Sequence, residues 1–168
     1  MATTVRRRAQ GKVPQWTGYH RILWPTDFSP LAKAALPHAA GLAAQTGAEL
    51  VLLHVLPSPG AYVVADVSGA VLIPLLRKNR AAAQAHLRRL EKQVAGPRLR
   101  THTLLTEGVA FHQIVRAAKR LRCDLIVMAT HGRTGLVHAI MGSVAENVLR
   151  RAPCPVLTVR PPRFQSGV

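Results

Sequence analysis

The sequence predicts an α/β fold: a single doubly wound, five-stranded parallel sheet with helices on both faces. Three observations carry that expectation. From residue 21 onward, short apolar runs alternate with helical patterns in the order β-α-β-α-β-α-β-α-β, the signature of parallel strands joined by crossover helices. Two of the runs, "ELVLLHVL" and "DLIVMAT", are apolar on both faces, as strands buried between two helical layers are. A chain of 168 residues, 48% of them hydrophobic, is enough for one core and too short for two domains.

Each element has its own local reason. "RILWP" reads as a first strand ended by Pro25. Ser29 followed by Pro30 is a helix start, an oxygen-bearing cap and then a proline at the first helical position. Leu31, Ala35, His38 and Leu42 share one face of that helix, Pro37 should kink it, and Gly47 closes it. "ELVLLHVL" (49–56) is the second strand. After the loop "PSPGAYVVADVSGA", a long helix is expected over about 71–95, with Leu76, Ala83, Leu87 and Leu90 inward and arginines outward. "RLRTHTLL" is a more polar third strand, suited to a sheet edge. "FHQIVRAAKRLR" places Phe111, Ile114, Val115 and Ala118 at helical spacing. "DLIVMAT" is the fourth strand, residues 143–152 form a last helix stopped by Pro153, and "PVLTVR" is the fifth strand. No internal repeat or low-complexity tract interrupts the order.

Composition excludes several classes. No window approaches the roughly 18 to 20 uninterrupted apolar residues of a membrane span. The segment "MATTVRRRAQGKVPQWTGYH" has arginines but no apolar core behind them, so it reads as a basic flexible extension and not as a secretory signal. Cys123 and Cys154 lack CxxC partners, which fits a reducing cytoplasmic compartment and not a disulfide framework. The formal net charge is +16 with only seven acids. Such charge attracts anions at long range. Its plain reading is the wet faces of helices, and aromatics at 4% leave little to stack on unpaired bases, so a dedicated nucleic-acid function is disfavoured.

The chemistry concentrates in "MATHGRTGLVHAIMGSVAENVL" (128–149). In an open parallel sheet, ligands lie beyond the carboxyl ends of the strands where the strand order reverses. The first strand runs into "PTDFS" and the fourth into "ATHGRTG"; if these strands are neighbours, both loops face one crevice. Ser143 with Glu146 makes an S-x-x-E capping-box pattern, and the first turn of the helix it opens offers backbone N–H groups and partial positive charge to an anion. Glycine at 132 and 142 lets the backbone approach a ligand and permits positive φ. The alternative is that these glycines simply mark a loop and the cap serves only its helix. Of the acids, Asp27 alone sits at a strand end facing the crevice, so paired-carboxylate catalysis lacks its second member. No GxxxxGK[ST], GxSxG or HExxH is present. His131 and His138 flank the glycine loop without a third metal ligand; His131 reads as a loop residue near the ligand and His138 as solvated.

Three segments, "ILWPTDFSP", "ELVLLHV" and "DLIVMATHGRTGLVHAIMGSVAENVLRRAPCPVLTVR", resemble the universal stress protein family, from about His20 to Arg160. The resemblance implies a Rossmann-like sheet of order 3-2-1-4-5 occupying 20–161, between the extension 1–19 and a tail 162–168. It also implies homodimers paired through the C-terminal strand 155–160. The family's ATP-binding pattern, G-x2-G-x9-G-[ST], falls on Ala129, Gly132, Gly142 and Ser143, with alanine where the first glycine stands. By the resemblance, Pro25, Thr26 and Asp27 hold the adenosine end, and Leu50 and Met128 lie against adenine. Gly132, Gly142, Ser143 and Val144 surround the phosphates, with Ala129 and His131 in the same loop. Arg133 is a cation placed to compensate for the absent Walker lysine. ATP, with Mg or Mn, is thus the expected cofactor of a dimeric stress-response sensor or adaptor with little turnover. The alternatives are a slow nucleotide hydrolase or autophosphorylating enzyme, and a nucleotide-free dimerisation module.

Overall fold

A computed structural model of the chain describes residues 17–58, 69–130 and 142–160. The elements run β1 (Arg21–Thr26), α1 (Pro30–Ala34), α2 (Leu36–Thr46), β2 (Glu49–Leu56), α3 (Gly69–Val94), β3 (Arg100–Glu107), α4 (Ala110–Arg120), β4 (Leu125–Ala129), α5 (Ser143–Arg151) and β5 (Val156–Val159). All strand pairs are parallel, and the sheet order is β3-β2-β1-β4-β5, as expected. The more polar β3 is indeed at an edge.

Two buried layers sandwich the sheet. On one face Ile22, Trp24, Leu50, Leu52 and Val127 meet Leu36, Ala39 and Ala43 of α2 and Leu87 and Leu90 of α3. On the other, Leu23, Val51, Leu53, Ile126 and Met128 meet Ile114, Ala117 and Ala118 of α4 and Ala145 and Val148 of α5. Alternation along each strand assigns successive side chains to opposite layers, so even a wholly apolar strand is strictly two-faced.

The single kinked helix expected between the Ser29 cap and Gly47 is two helices. Ala35 closes α1, its N–H donating to the Ala32 carbonyl at 3.2 Å, and also opens α2. Pro37 has no N–H to return to the carbonyl four residues earlier and its ring crowds that carbonyl, so the chain restarts instead of bending. Ser29 caps α1 as expected, its Oγ accepting from the Ala32 N–H at 3.1 Å, and Gly47 closes α2 at φ 71.

The amino ends of the strands are tied by polar contacts. Asp124 accepts from the His20 N–H at 2.7 Å and the Arg21 N–H at 3.1 Å, while Arg21 Nε donates to Glu49 at 2.6 Å and its Nη1 to the Leu121 carbonyl. Cys123 is buried beside this cluster, where desolvation and then the neighbouring Cys154 push its thiol up to about 12; burial raises Cys154 as well. Both thiols lie at the strands' amino ends, away from the carboxyl ends.

Candidate functional site

At the carboxyl ends of β1 and β4, where the strand order reverses, lies a cavity of about 290 Å³. Pro25, Thr26 and Asp27 line one side, and Met128, Ala129 and Thr130 the other. Leu53 and Val55 of β2, with Ala110 and Ile114 of α4, form an apolar back wall. Gly142, Ser143, Val144 and Ala145 close it with the first turn of α5.

The β1–α1 turn is built by its own side chains. Thr26 Oγ1 accepts from the Phe28 N–H at 3.0 Å, and Asp27 Oδ1 accepts from the Ser29 N–H at 3.0 Å. These bonds hold Phe28 at φ 65, a left-handed conformation unusual for a residue with a Cβ. Its ring stacks on His54 with centroids 4.1 Å apart and tilts toward His86 at 5.0 Å. His54 Nδ1 lies 2.7 Å from the Thr26 carbonyl. A carbonyl only accepts, so Nδ1 carries the proton.

The start of α5 differs from the expected capping box. The N-cap is Gly142, at φ −71 and ψ 149, and Ser143 is the first helical residue. No side chain caps the helix, and Glu146 reaches forward to Arg150 at 3.0 Å instead of back to the cap. A serine one position later cannot turn its hydroxyl onto the third-residue amide, which explains the difference. The Gly142 N–H is used by the Thr130 carbonyl at 2.8 Å. The amides of Ser143, Val144 and Ala145 therefore form the turn that faces the cavity, carrying the positive end of the helix dipole. Gly142 does not need positive φ; what its missing side chain provides is close approach.

The fold brings together Pro25, Thr26, Asp27, Met128, Ala129, Gly142, Ser143 and Val144 at the cavity wall. Leu50 is a correction to the expectation. It is fully buried in the layer under α2 and α3, near the amino end of β2 opposite Ile22, and does not line the cavity. The β2 residues at the wall are Leu53 and Val55, on the opposite face and farther along the strand. His131, Gly132 and Arg133 lie outside the described residues. Ala129 is the last residue of β4 and is not among the residues at positive φ, so glycine's conformational freedom is not required there. Sequence reasoning missed His54 and Phe28. The available signal was one histidine inside an otherwise apolar strand, paired in register with Thr26.

Among the described residues no group of three metal-ligating side chains occurs, and Asp27 is the sole ionisable residue of the cavity wall. No helix of the described residues is long and apolar enough to cross a membrane.

Comparison with known proteins settles the lineage. The universal stress protein family matches residues 18–160. The chain belongs to the universal stress protein family. It is 36% identical over 146 residues to universal stress protein MJ0531 of Methanocaldococcus jannaschii, covering 86% of this chain and 84% of that one. It is 37% identical to universal stress protein A homolog 1 of Coxiella burnetii, over 84% of this chain and 96% of the relative. Among solved structures, MJ0577 superimposes with a TM-score of 0.75 at 30% identity, covering 84% of this chain and 96% of that one. Universal stress protein UspA of Lactobacillus plantarum does so at 0.74 and 30%, over 85% and 99%. The five-stranded sheet described above is thus the universal stress protein fold, and the cavity lies at its reversal of strand order.

Proposed function

We propose that this universal stress protein binds ATP in the β1/β4 cavity and acts as a dimeric stress-response sensor or adaptor in the cytoplasm, with little catalytic turnover. The observation that carries the reading is the uncapped first turn of α5, its amides opening onto an apolar cavity whose other rim holds Asp27. A helix start without a side-chain cap presents hydrogen-bond donors and positive potential to an anion. Gly142 adds no side chain between those donors and the ligand.

The available groups fit a nucleotide by parts. Leu53, Val55, Ile114 and Met128 suit a flat apolar base. Asp27 accepts from the Ser29 amide through Oδ1, and its carboxylate lies at the cavity wall, on the side where a sugar would sit. The cavity volume is near the lower end for small-molecule sites, which matches a nucleoside, with phosphates extending over the α5 amides and the Ser143 hydroxyl. With Asp27 the one carboxylate at the wall, an accompanying Mg²⁺ or Mn²⁺ would draw most of its ligands from the nucleotide and not from the described side chains. The residues bind and orient; Asp27, drawn into the turn as an acceptor, is not poised as a general base. Weak hydrolysis or self-phosphorylation at Ser143 is the enzymatic alternative. Turnover well above about 1 per second would establish it in place of the sensor reading, since ordinary enzymes work in that range.

The dimer rests on β5. It is the outer strand of the sheet, with Leu157 39% exposed, and an apolar unpaired edge is a surface that proteins cover. Pairing with the same strand of a second copy covers it. Native mass spectrometry of freshly purified full-length protein tests the nucleotide reading. A retained adenine nucleotide, or a rise in melting temperature with millimolar ATP and magnesium, is the expected result. An empty protein with no thermal shift defeats it.

A further inference from the structure

Five of the six cations of α3 fall on one face; the sixth, Arg80, lies off it. Between Arg77 and Lys92, Ala83, Leu87 and Leu90 point into the core, while Arg77, Lys78, Arg88, Arg89 and Lys92 are exposed. At about 100° per residue, those five occupy roughly 120° of arc centred opposite the buried stripe. Among the described residues, Glu91 of α3 lies off this arc and accepts from Thr101 at 3.0 Å, and Glu107 of β3 pairs with Arg80 at 2.7 Å. None of the five pairs with a carboxylate among the described residues.

Their arrangement is more specific than a wet helix face. Arg77 and Arg88 form one row, and Lys78 and Arg89 a second, each pair eleven residues or about 16 Å apart along the helix. Between the rows run Ala81 and Ala85, with Lys92 at the end. The geometry points to a surface that seats α3 in the major groove of B-form DNA, the two cation rows contacting the phosphates of opposite strands. The groove of B-DNA admits an α-helix, and the alanine strip lets the backbone sit deep while longer side chains reach outward.

The other anionic partners fit less well. Between Arg77 and Lys92 this face has no apolar side chain larger than alanine, so it offers no anchor for a protein interface and nothing to insert into a bilayer. It has no aromatic ring for unpaired bases. The deep, narrow major groove of duplex RNA does not admit the helix. With α3 packed on β2 and β3 and the exposed strand edge at β5, DNA binding and pairing through β5 use opposite sides of the molecule. The two cation rows address phosphates, which carry no sequence information, so the binding that they give is sequence-independent.

The test is fluorescence anisotropy of the full-length chain, without nucleotide, on a labelled duplex DNA of about 20 base pairs in roughly 50 to 200 mM salt. Four to five phosphate contacts predict a log–log salt slope near −4, which is a loss of a few hundredfold over that range. Arg77→Gln with Lys78→Gln should lower the slope by about two, and Arg88→Gln, Arg89→Gln with Lys92→Gln by about three. Each variant alters exposed positions alone, and an unchanged melting temperature verifies its fold. Because the two variants are independent, either one that folds decides the matter. Duplex RNA should bind at least tenfold more weakly. The proposal is overturned if no binding occurs at the lowest salt. It is also overturned if the α3 variants bind like the parent while Arg6→Gln, Arg7→Gln, Arg8→Gln abolishes binding. Equal competition by duplex RNA, polyglutamate or phosphatidylserine vesicles at matched charge overturns it as well.

Discussion

Phe28 and His54 show how a single pair of residues sets the rim of the cavity. The left-handed backbone of Phe28 costs roughly 1–2 kcal/mol, an amount offset by stacking on His54 and by the two side-chain bonds of the turn. The His54 Nδ1–H bond to the Thr26 carbonyl is buried, so its loss leaves an acceptor without that partner. His54→Leu, close in volume, should lower unfolding free energy by about 1–3 kcal/mol in urea titration. A change under ~0.5 kcal/mol would show that the contact is incidental. Cys123 gives a second residue-scale expectation. Its buried thiol is held protonated up to about 12, so the folded chain binds that proton more tightly than the unfolded one. The resulting stability is complete below about pH 9 and is lost as pH climbs toward 12. Chemical denaturation across that window should show a fall that Cys123→Ala reduces, and the native thiol should resist alkylation at pH 8.

At the scale of elements, β4 and α5 decide whether the alanine in the glycine pattern matters. Ala129 ends a strand at ordinary backbone angles, so Ala129→Gly should gain no more than about twofold in ATP affinity, and should cost about 0.5–1 kcal/mol of stability through chain entropy. Gly142→Val makes the opposite test. Its φ of −71 accommodates a side chain, so the fold should persist while ATP binding, measured by calorimetry, weakens more than tenfold. Equal binding by the valine variant would mean that phosphates do not approach this turn. The same elements show what was legible in the sequence. Apolar runs and helix punctuation located every strand and nearly every helix end, because those signals are local. The facing of β2 was not legible: "ELVLLHVL" has no polar face, so nothing in it distinguishes Leu50 from Leu53, and the choice is made by the helices packed on each side. The cap of α5 was equally ambiguous, since S-x-x-E reads the same whether serine precedes the helix or begins it. Pro37 signalled a disruption, but whether the helix bent or broke depended on how Ala35 was held.

For the whole molecule, charge and association are coupled. In the dimer proposed above each copy would carry a formal charge of +16, so bringing two together at the β5 edge would work against electrostatic repulsion while covering apolar surface. Repulsion between exposed charges is screened within about 10 Å at 0.1 M salt and reaches about three times farther at 0.01 M. Dimerisation should therefore tighten as salt rises, whereas DNA binding by α3 should loosen. A measurement over one salt series separates the two surfaces by the sign of the response. Leu157→Arg places a cation at the centre of the edge strand and should raise the dimer dissociation constant at least tenfold throughout the series, leaving the fold intact because Leu157 is already exposed. Sedimentation equilibrium from low to moderate salt checks both the trend and the variant. A parent protein that stays monomeric at high salt and tens of micromolar would remove β5 as the pairing edge, and a dimer indifferent to Leu157→Arg would move the interface elsewhere on the sheet.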